Sequence, residues 1–175
     1  MPRRGRSSSW VAVLASAGLG AGACAYSTST GFFPAHLKTL AVPLFENATT
    51  EYTLEQEVTD AVIQRFVQDN HLRIVDARSA DAVIQGKITL YRNSVFGIST
   101  NQSLAQEYRV TVGVSVVFKD QVKNREIWSE PEIVKSANYY VQSVPGESAR
   151  TELDGRKQAI AKIADEILSR SVETW

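Results

Sequence analysis

The sequence predicts an α+β fold: a mostly antiparallel four-stranded sheet with two amphipathic helices packed on one face. Three observations predict it. Between Tyr108 and Phe118, apolar Tyr108, Val110, Val112, Val114, Val116 and Phe118 fall on every second position. Successive strand side chains point to opposite faces, so this is one long strand with an apolar side. Two other stretches, Leu54 to Phe66 and Leu153 to Leu168, repeat apolar residues at helical steps of three and four. The order of elements is strand, helix, three strands, helix, which points to helices covering a sheet rather than alternating with parallel strands. Each large inward side chain is worth about 1.5–3 kcal/mol when buried, so the six on this strand demand such a cover.

The chain supports each element in turn. Leu37 to Phe45 predicts a strand, with Pro43 placing it at an edge or a bulge because proline has no N–H to donate. Glu46 to Thr50 is a turn. Thr53 opens a helix, with Thr53 and Gln56 spaced for a capping box and Glu55 and Glu57 suited to the positive end of the helix dipole. The helix ends near Asn70, and Leu72 to Val75 is a short strand. Ala82 to Tyr91 is a second strand, with Ile84, Gly86, Ile88 and Leu90 on one face. Residues 93–106 read as a polar hairpin tip. The central strand follows, then a turn at Lys119 to Arg125. Glu126 to Val141 is a fourth strand, bulged at Pro131. Ser143 to Ser148 is a loop, and Ala149 to Ser171 a helix weakened near its start by Gly155.

The chain has 175 residues, with 19 basic and 19 acidic side chains. Arg3, Arg4 and Arg6 lie in an N-terminal stretch that holds no acid. Removing these three from the 19 basic residues leaves 16 against 19 acidic, a net charge of −3. That balance gives no electrostatic case for nucleic acid. Residues 1–23 have the form of a signal peptide: a basic start, then an uncharged, mostly apolar run from Trp10 to Ala23. The run is shorter than the roughly 20 residues of a membrane span. Cys24, the single cysteine, follows directly. Its setting, Leu19-Gly20-Ala21-Gly22-Ala23-Cys24, resembles a bacterial lipobox, which would make Cys24 the acylated first residue of the mature protein. Ala21-Gly22-Ala23 equally fits ordinary signal cleavage. With lipidation, residues 24–36 form a lipidated tether to a membrane and 37–175 a single α+β domain. Ala25 stands where aspartate would mark retention at the inner membrane, so the resemblance points to the outer membrane, on its periplasmic side.

Chemistry-bearing clusters do not appear. Neither His36 nor His71 sits in a metal-ligand spacing or beside a paired carboxylate, and no glycine-rich phosphate loop is present. Gly86 and Gly113 stand singly in strands, where close packing against a helix explains them. The expectation is a binding or assembly module with no catalytic site, no metal and no cofactor. Two features suit binding: the aromatic Asn138-Tyr139-Tyr140-Val141 with Trp128, and basic residues near loop ends, among them Arg92, Arg109 and Arg150.

Three short motifs resemble one family. Ala41-Val42-Pro43-Leu44-Phe45-Glu46-Asn47-Ala48-Thr49 precedes a helix, Ala80-Asp81-Ala82-Val83-Ile84-Gln85-Gly86-Lys87-Ile88 follows, and Gln106-Glu107-Tyr108-Arg109-Val110 comes third. Their order and spacing, with Ile127-Trp128 and the closing helix, resemble the lipopolysaccharide-assembly lipoproteins of the LptE family. The resemblance implies two helices on a four-stranded sheet in an outer-membrane lipoprotein. It implies a plug and assembly partner for the β-barrel protein LptD, in contact with lipopolysaccharide, without enzymatic activity. Basic residues contact lipopolysaccharide in the family, one near the hairpin tip and one before the last helix. Arg150 matches the second. Loop 93–106 holds no Lys or Arg, and Arg92 and Arg109 flank it. The candidate lipopolysaccharide contacts are therefore Arg150, Arg109 and Arg92. Two other readings are a stand-alone periplasmic lipid- or ligand-binding lipoprotein and an envelope hydrolase.

Overall fold

A computed structural model describes residues 33–98, 106–141 and 148–173. The signal stretch 1–23, Cys24, most of the tether, positions 99–105 of the hairpin tip and positions 142–147 of the last loop lie outside the described residues. Eight elements follow one another: β1 (Thr39–Ala41), β2 (Glu46–Asn47), α1 (Leu54–Asp69), β3 (Arg73–Ile74), β4 (Ala82–Ile98), β5 (Gln106–Asp120), β6 (Arg125–Tyr140) and α2 (Glu152–Glu173). The fold is α+β, with two helices and an open mixed sheet of six strands in the order β3-β1-β4-β5-β6, β2 also pairing with β4.

The expected four antiparallel strands are thus three long ones plus three short ones. β4, β5 and β6 are antiparallel, whereas β1, β2 and β3 pair in parallel. Two physical causes account for the difference. Strand pairing ends at Ala41, before the proline that cannot donate, so the predicted Leu37–Phe45 strand shortens to β1, while β2 forms in the stretch predicted as a turn. The chain then crosses through α1 before β3 returns beside β1, and such a crossover produces parallel neighbours. β1 therefore lies between β3 and β4 rather than at an edge.

β5 is central, as its alternation predicts. Val110, Val112, Val114 and Phe118 are fully buried. They form one buried cluster with Ile84 and Ile88 of β4, Ile133 of β6, Val58, Val62 and Phe66 of α1, and Ile160, Ile163 and Ile167 of α2. The strand β4 runs through Ile98, well into the stretch read as a hairpin tip. A bulge between Ile88 and Leu90 shifts its register. Leu90 consequently leaves the face of Ile84 and Ile88 and stands opposite Gly113 on the open side of the sheet, while Tyr91 turns inward opposite Val112. The expected bulge at Pro131 is present: Val114 pairs with Ile133 but Val116 with Glu130.

The glycines and caps differ from expectation in their partners. Gly86 accommodates the Phe45 ring, not a helix, and Gly113 faces Leu90. Gly155 in α2 leaves room for Tyr139, whose ring carbon would sit 2.9 Å from an added Cβ. No capping box forms at α1, because Thr53 takes a left-handed φ of 67° and its side chain makes no cap hydrogen bond. The capping box is at α2 instead: the Thr151 N–H donates to Asp154 Oδ2 at 2.8 Å and the Asp154 N–H to Thr151 Oγ1 at 3.3 Å. That contact holds the Asp154 carboxyl below its ordinary pKa.

Candidate functional site

β6 is the last strand of the sheet, with no strand beyond it among the described residues. Near its C-terminal end the edge forms an open cleft of about 410 Å³, with Glu107, Arg109, Asn138 and Tyr140 from the strands and Arg150 and Lys162 from the α2 side. The fold brings them together in three ways. Arg109 and Asn138 are directly opposed across β5 and β6. The chain entering α2 is fastened to the strand end by the Arg150 N–H, which donates to the Tyr140 carbonyl at 2.7 Å. Lys162, from the middle of α2, donates its ammonium to the Ser136 carbonyl at 2.8 Å.

Arg109 is held from two sides. Its Nε–H donates to Asn138 Oδ1 at 2.8 Å, and its guanidinium carbon lies 3.3 Å from the centroid of the Phe96 ring. The Asn138 amide in turn donates to Glu107 Oε1 at 2.6 Å. Phe96 reaches this position because it is the extra residue of the bulge between Val95 and Gly97. Three cations and one carboxylate in an open groove can engage an anionic group by charge-assisted hydrogen bonds.

Of the sequence-predicted contacts, the structure brings Arg109 and Arg150 together in this cleft. Arg92 does not line it; it is exposed on the same open sheet face, opposite Thr111. Lys162 escaped the sequence reading, while Asn138 and Glu107 stood in quoted motifs without a role for their own side chains. A lysine on a helix surface carries no signal of its own, and only the strand pairing sets Asn138 against Arg109. The aromatic run divides: Tyr139 is buried at 4 % exposure and stacks on Tyr108, with 5.4 Å between ring centroids, while Tyr140 lines the cleft. Trp128 packs against Phe118.

Two other polar clusters hold elements together. Arg156 of α2 pairs with Glu51 at 2.5 Å and with Glu57 of α1 at 3.2 Å. Partial burial opposes its charge, but Glu57 and the hydrogen bond to Glu51 outweigh that and raise its pKa. Beside it the Tyr91 hydroxyl donates to Glu152, and burial followed by that bond pushes its pKa well up. At the other end of the sheet His36 does have a carboxylate partner: its Nε2 lies 2.8 Å from Asp120 Oδ2. Asp120 is 1 % exposed. His71 similarly meets Asp69 at 2.7 Å. Among the described residues no three His, Cys, Asp or Glu side chains converge as metal ligands.

These features define a class: an α+β module with both helices on one face and an open sheet edge carrying a cationic cleft. The chain belongs to the LptE family of lipopolysaccharide-assembly proteins, whose family model matches residues 37–171. Two solved structures with TM-scores above 0.5 share its fold at low identity, and a third is similar at a lower score. A Xanthomonas campestris protein is 11 % identical with a TM-score of 0.55, covering 82 % of this chain and 90 % of its own. A PelC variant dodecamer from Paraburkholderia phytofirmans is 14 % identical with a TM-score of 0.52, covering 77 % and 87 %. The rare lipoprotein B of Shewanella oneidensis is 22 % identical with a TM-score of 0.45, covering 77 % and 95 %. No curated protein sequence matches this chain.

Proposed function

We propose that this protein is a non-catalytic outer-membrane lipoprotein, anchored through Cys24 on the periplasmic side, that plugs and helps assemble an LptD-type β-barrel and contacts lipopolysaccharide on its way to the cell surface. Family membership supports the setting. The observation that carries the ligand is the shared cleft of Arg109 and Arg150. Lipopolysaccharide presents phosphates and carboxylates, and a rigid guanidinium matches both in a two-bond geometry. Arg92, on the open face beside the cleft, adds to its field.

The test is a titration of the mature protein with lipopolysaccharide. Arg150→Ala and Arg109→Ala each weaken binding, the double substitution more so, and Arg150→Ala leaves the melting temperature unchanged. Unchanged binding by the double variant removes the cleft from the function.

A further inference from the structure

Glu107 and Arg109 lie two positions apart on the same side of β5, about 7 Å between Cα atoms. Two long side chains of opposite charge at that spacing are within reach of a direct ion pair, yet the structure contains none. The Asn138 side chain stands between them. Its oxygen accepts from Arg109 Nε at 2.8 Å and its amide nitrogen donates to Glu107 Oε1 at 2.6 Å. Only this orientation serves both neighbours, since the reverse would set donor against donor and acceptor against acceptor. Glu107 is confined from the other side by Gly97, where an added Cβ would lie 3.2 Å from Glu107 Oε2.

We infer that Asn138 is the positioning residue of the cleft: its amide keeps Glu107 from neutralising Arg109 and leaves the guanidinium open to a phosphate or carboxylate. The inference rests on the reading of the cleft as an anion site given above. A guanidinium carries five N–H donors, and Asn138 occupies only the one on Nε. The Nη groups make no hydrogen bond or ion pair with the described residues. Phe96 fixes the plane of the fork from one side. The remaining edge is the planar pair of donors that meets two oxygens of a phosphate or carboxylate at once. The anion can belong to a lipid headgroup or be free in solution.

The experiment titrates the mature protein with lipopolysaccharide and, separately, with inorganic phosphate. The proteins compared are the wild type, Arg109→Ala, Asn138→Ala, Glu107→Gln and the double variant Glu107→Gln with Asn138→Ala. Removing Asn138 lets Glu107 close on Arg109, so Asn138→Ala binds about tenfold more weakly, a change typical of losing one charge-assisted contact. The double variant recovers most of that loss, because no carboxylate remains to compete. Should Asn138→Ala fold poorly, Asn138→Asp keeps the volume and loses affinity in the same way, by placing a carboxylate on Arg109. Response to lipopolysaccharide alone assigns a lipid headgroup, and response to phosphate a free anion. Wild-type affinity in Asn138→Ala, or no recovery in the double variant, overturns the inference. If Arg109→Ala is weak while Asn138→Ala is not, the anion site stands and the positioning role falls. Absence of binding by the wild type overturns both.

Discussion

The ring of Phe45 occupies the volume that a side chain at position 86 would need. A Cβ built on Gly86 would lie 2.0 Å from a carbon of that ring. Phe45 is 2 % exposed and belongs to the core, so the ring has nowhere to retreat. This contact fastens the segment between β1 and β2 onto β4.

Gly86→Ala is therefore predicted to destabilise the fold by about 1–3 kcal/mol, the range for an overpacked core. Pairing it with Phe45→Leu recovers part of the loss. A double-mutant cycle from urea unfolding checks this, and additive losses would mean the two positions are not coupled.

The inward face of β5 gives a second prediction. Val112 and Val114 are both at 0 % exposure. Val112→Asp or Val114→Asp buries an unpaired carboxylate, a penalty of several kcal/mol against a net stability of about 5–15 kcal/mol. Neither variant should show a cooperative thermal transition by circular dichroism. Normal folding of both would mean that the wrong face is buried.

Acid sensitivity follows from Asp81 and Asp120, which clamp the segment entering the sheet. Asp81 Oδ2 accepts from the Lys38 and Thr39 N–H groups and the Thr39 hydroxyl. The Lys38 amide is the main cause of its lowered pKa, followed by the Thr39 hydroxyl. Burial acts to raise Asp120, but His36, the Lys123 amide and Arg125 together outweigh it and lower its pKa. Both folded values lie below the unfolded value of 3.8. Their contribution is therefore complete above about pH 5 and is lost as pH falls through the lowered folded values. The urea midpoint should drop from pH 7 to pH 3. Asp120→Asn should lower the midpoint at pH 7 and flatten that dependence; an unchanged slope would contradict the assignment.

Arg156 joins α2 to the loop before α1 and to α1 itself. Its side chain is 14 % exposed. Arg156→Ala leaves Glu51 and Glu57 facing each other without a cation, and the expected loss is about 1–3 kcal/mol, as for a partly buried charged group stripped of its partner. Arg156→Lys restores charge but not the two-sided geometry, so it recovers only part. Chemical unfolding measures both, and equal stability of all three proteins would contradict the bridge.

How much of this was legible in the sequence depends on range. The alternation from Tyr108 to Phe118 and the helical stripes of α1 and α2 are local signals, and they placed the core. Pro131 announced its bulge because a missing N–H is a property of the residue alone. Thr89 carries no comparable mark, so the bulge that turns Leu90 to the open face was invisible. Thr53 had the spacing of a capping residue, but Asn47 holds the loop before it, through Glu51 O and Glu55, and α1 starts from a left-handed residue. The parallel pairing of β1 rests on partners brought back by α1, and three residues hold too little pattern to foretell it. In the cleft, Arg109 and Arg150 were legible as cations. The insulating Asn138 was not, because its role exists only once β5 and β6 are paired in register.

The central claim, a lipid-anchored plug of a lipopolysaccharide-exporting barrel, is tested most directly by gentle detergent extraction of outer membranes, affinity capture of the native protein and mass spectrometry of what accompanies it. The account predicts a large β-barrel protein in roughly one-to-one amount, as expected for a permanent interface. Recovery of the protein alone, under conditions that keep other membrane complexes intact, would contradict it and favour a stand-alone ligand-binding lipoprotein.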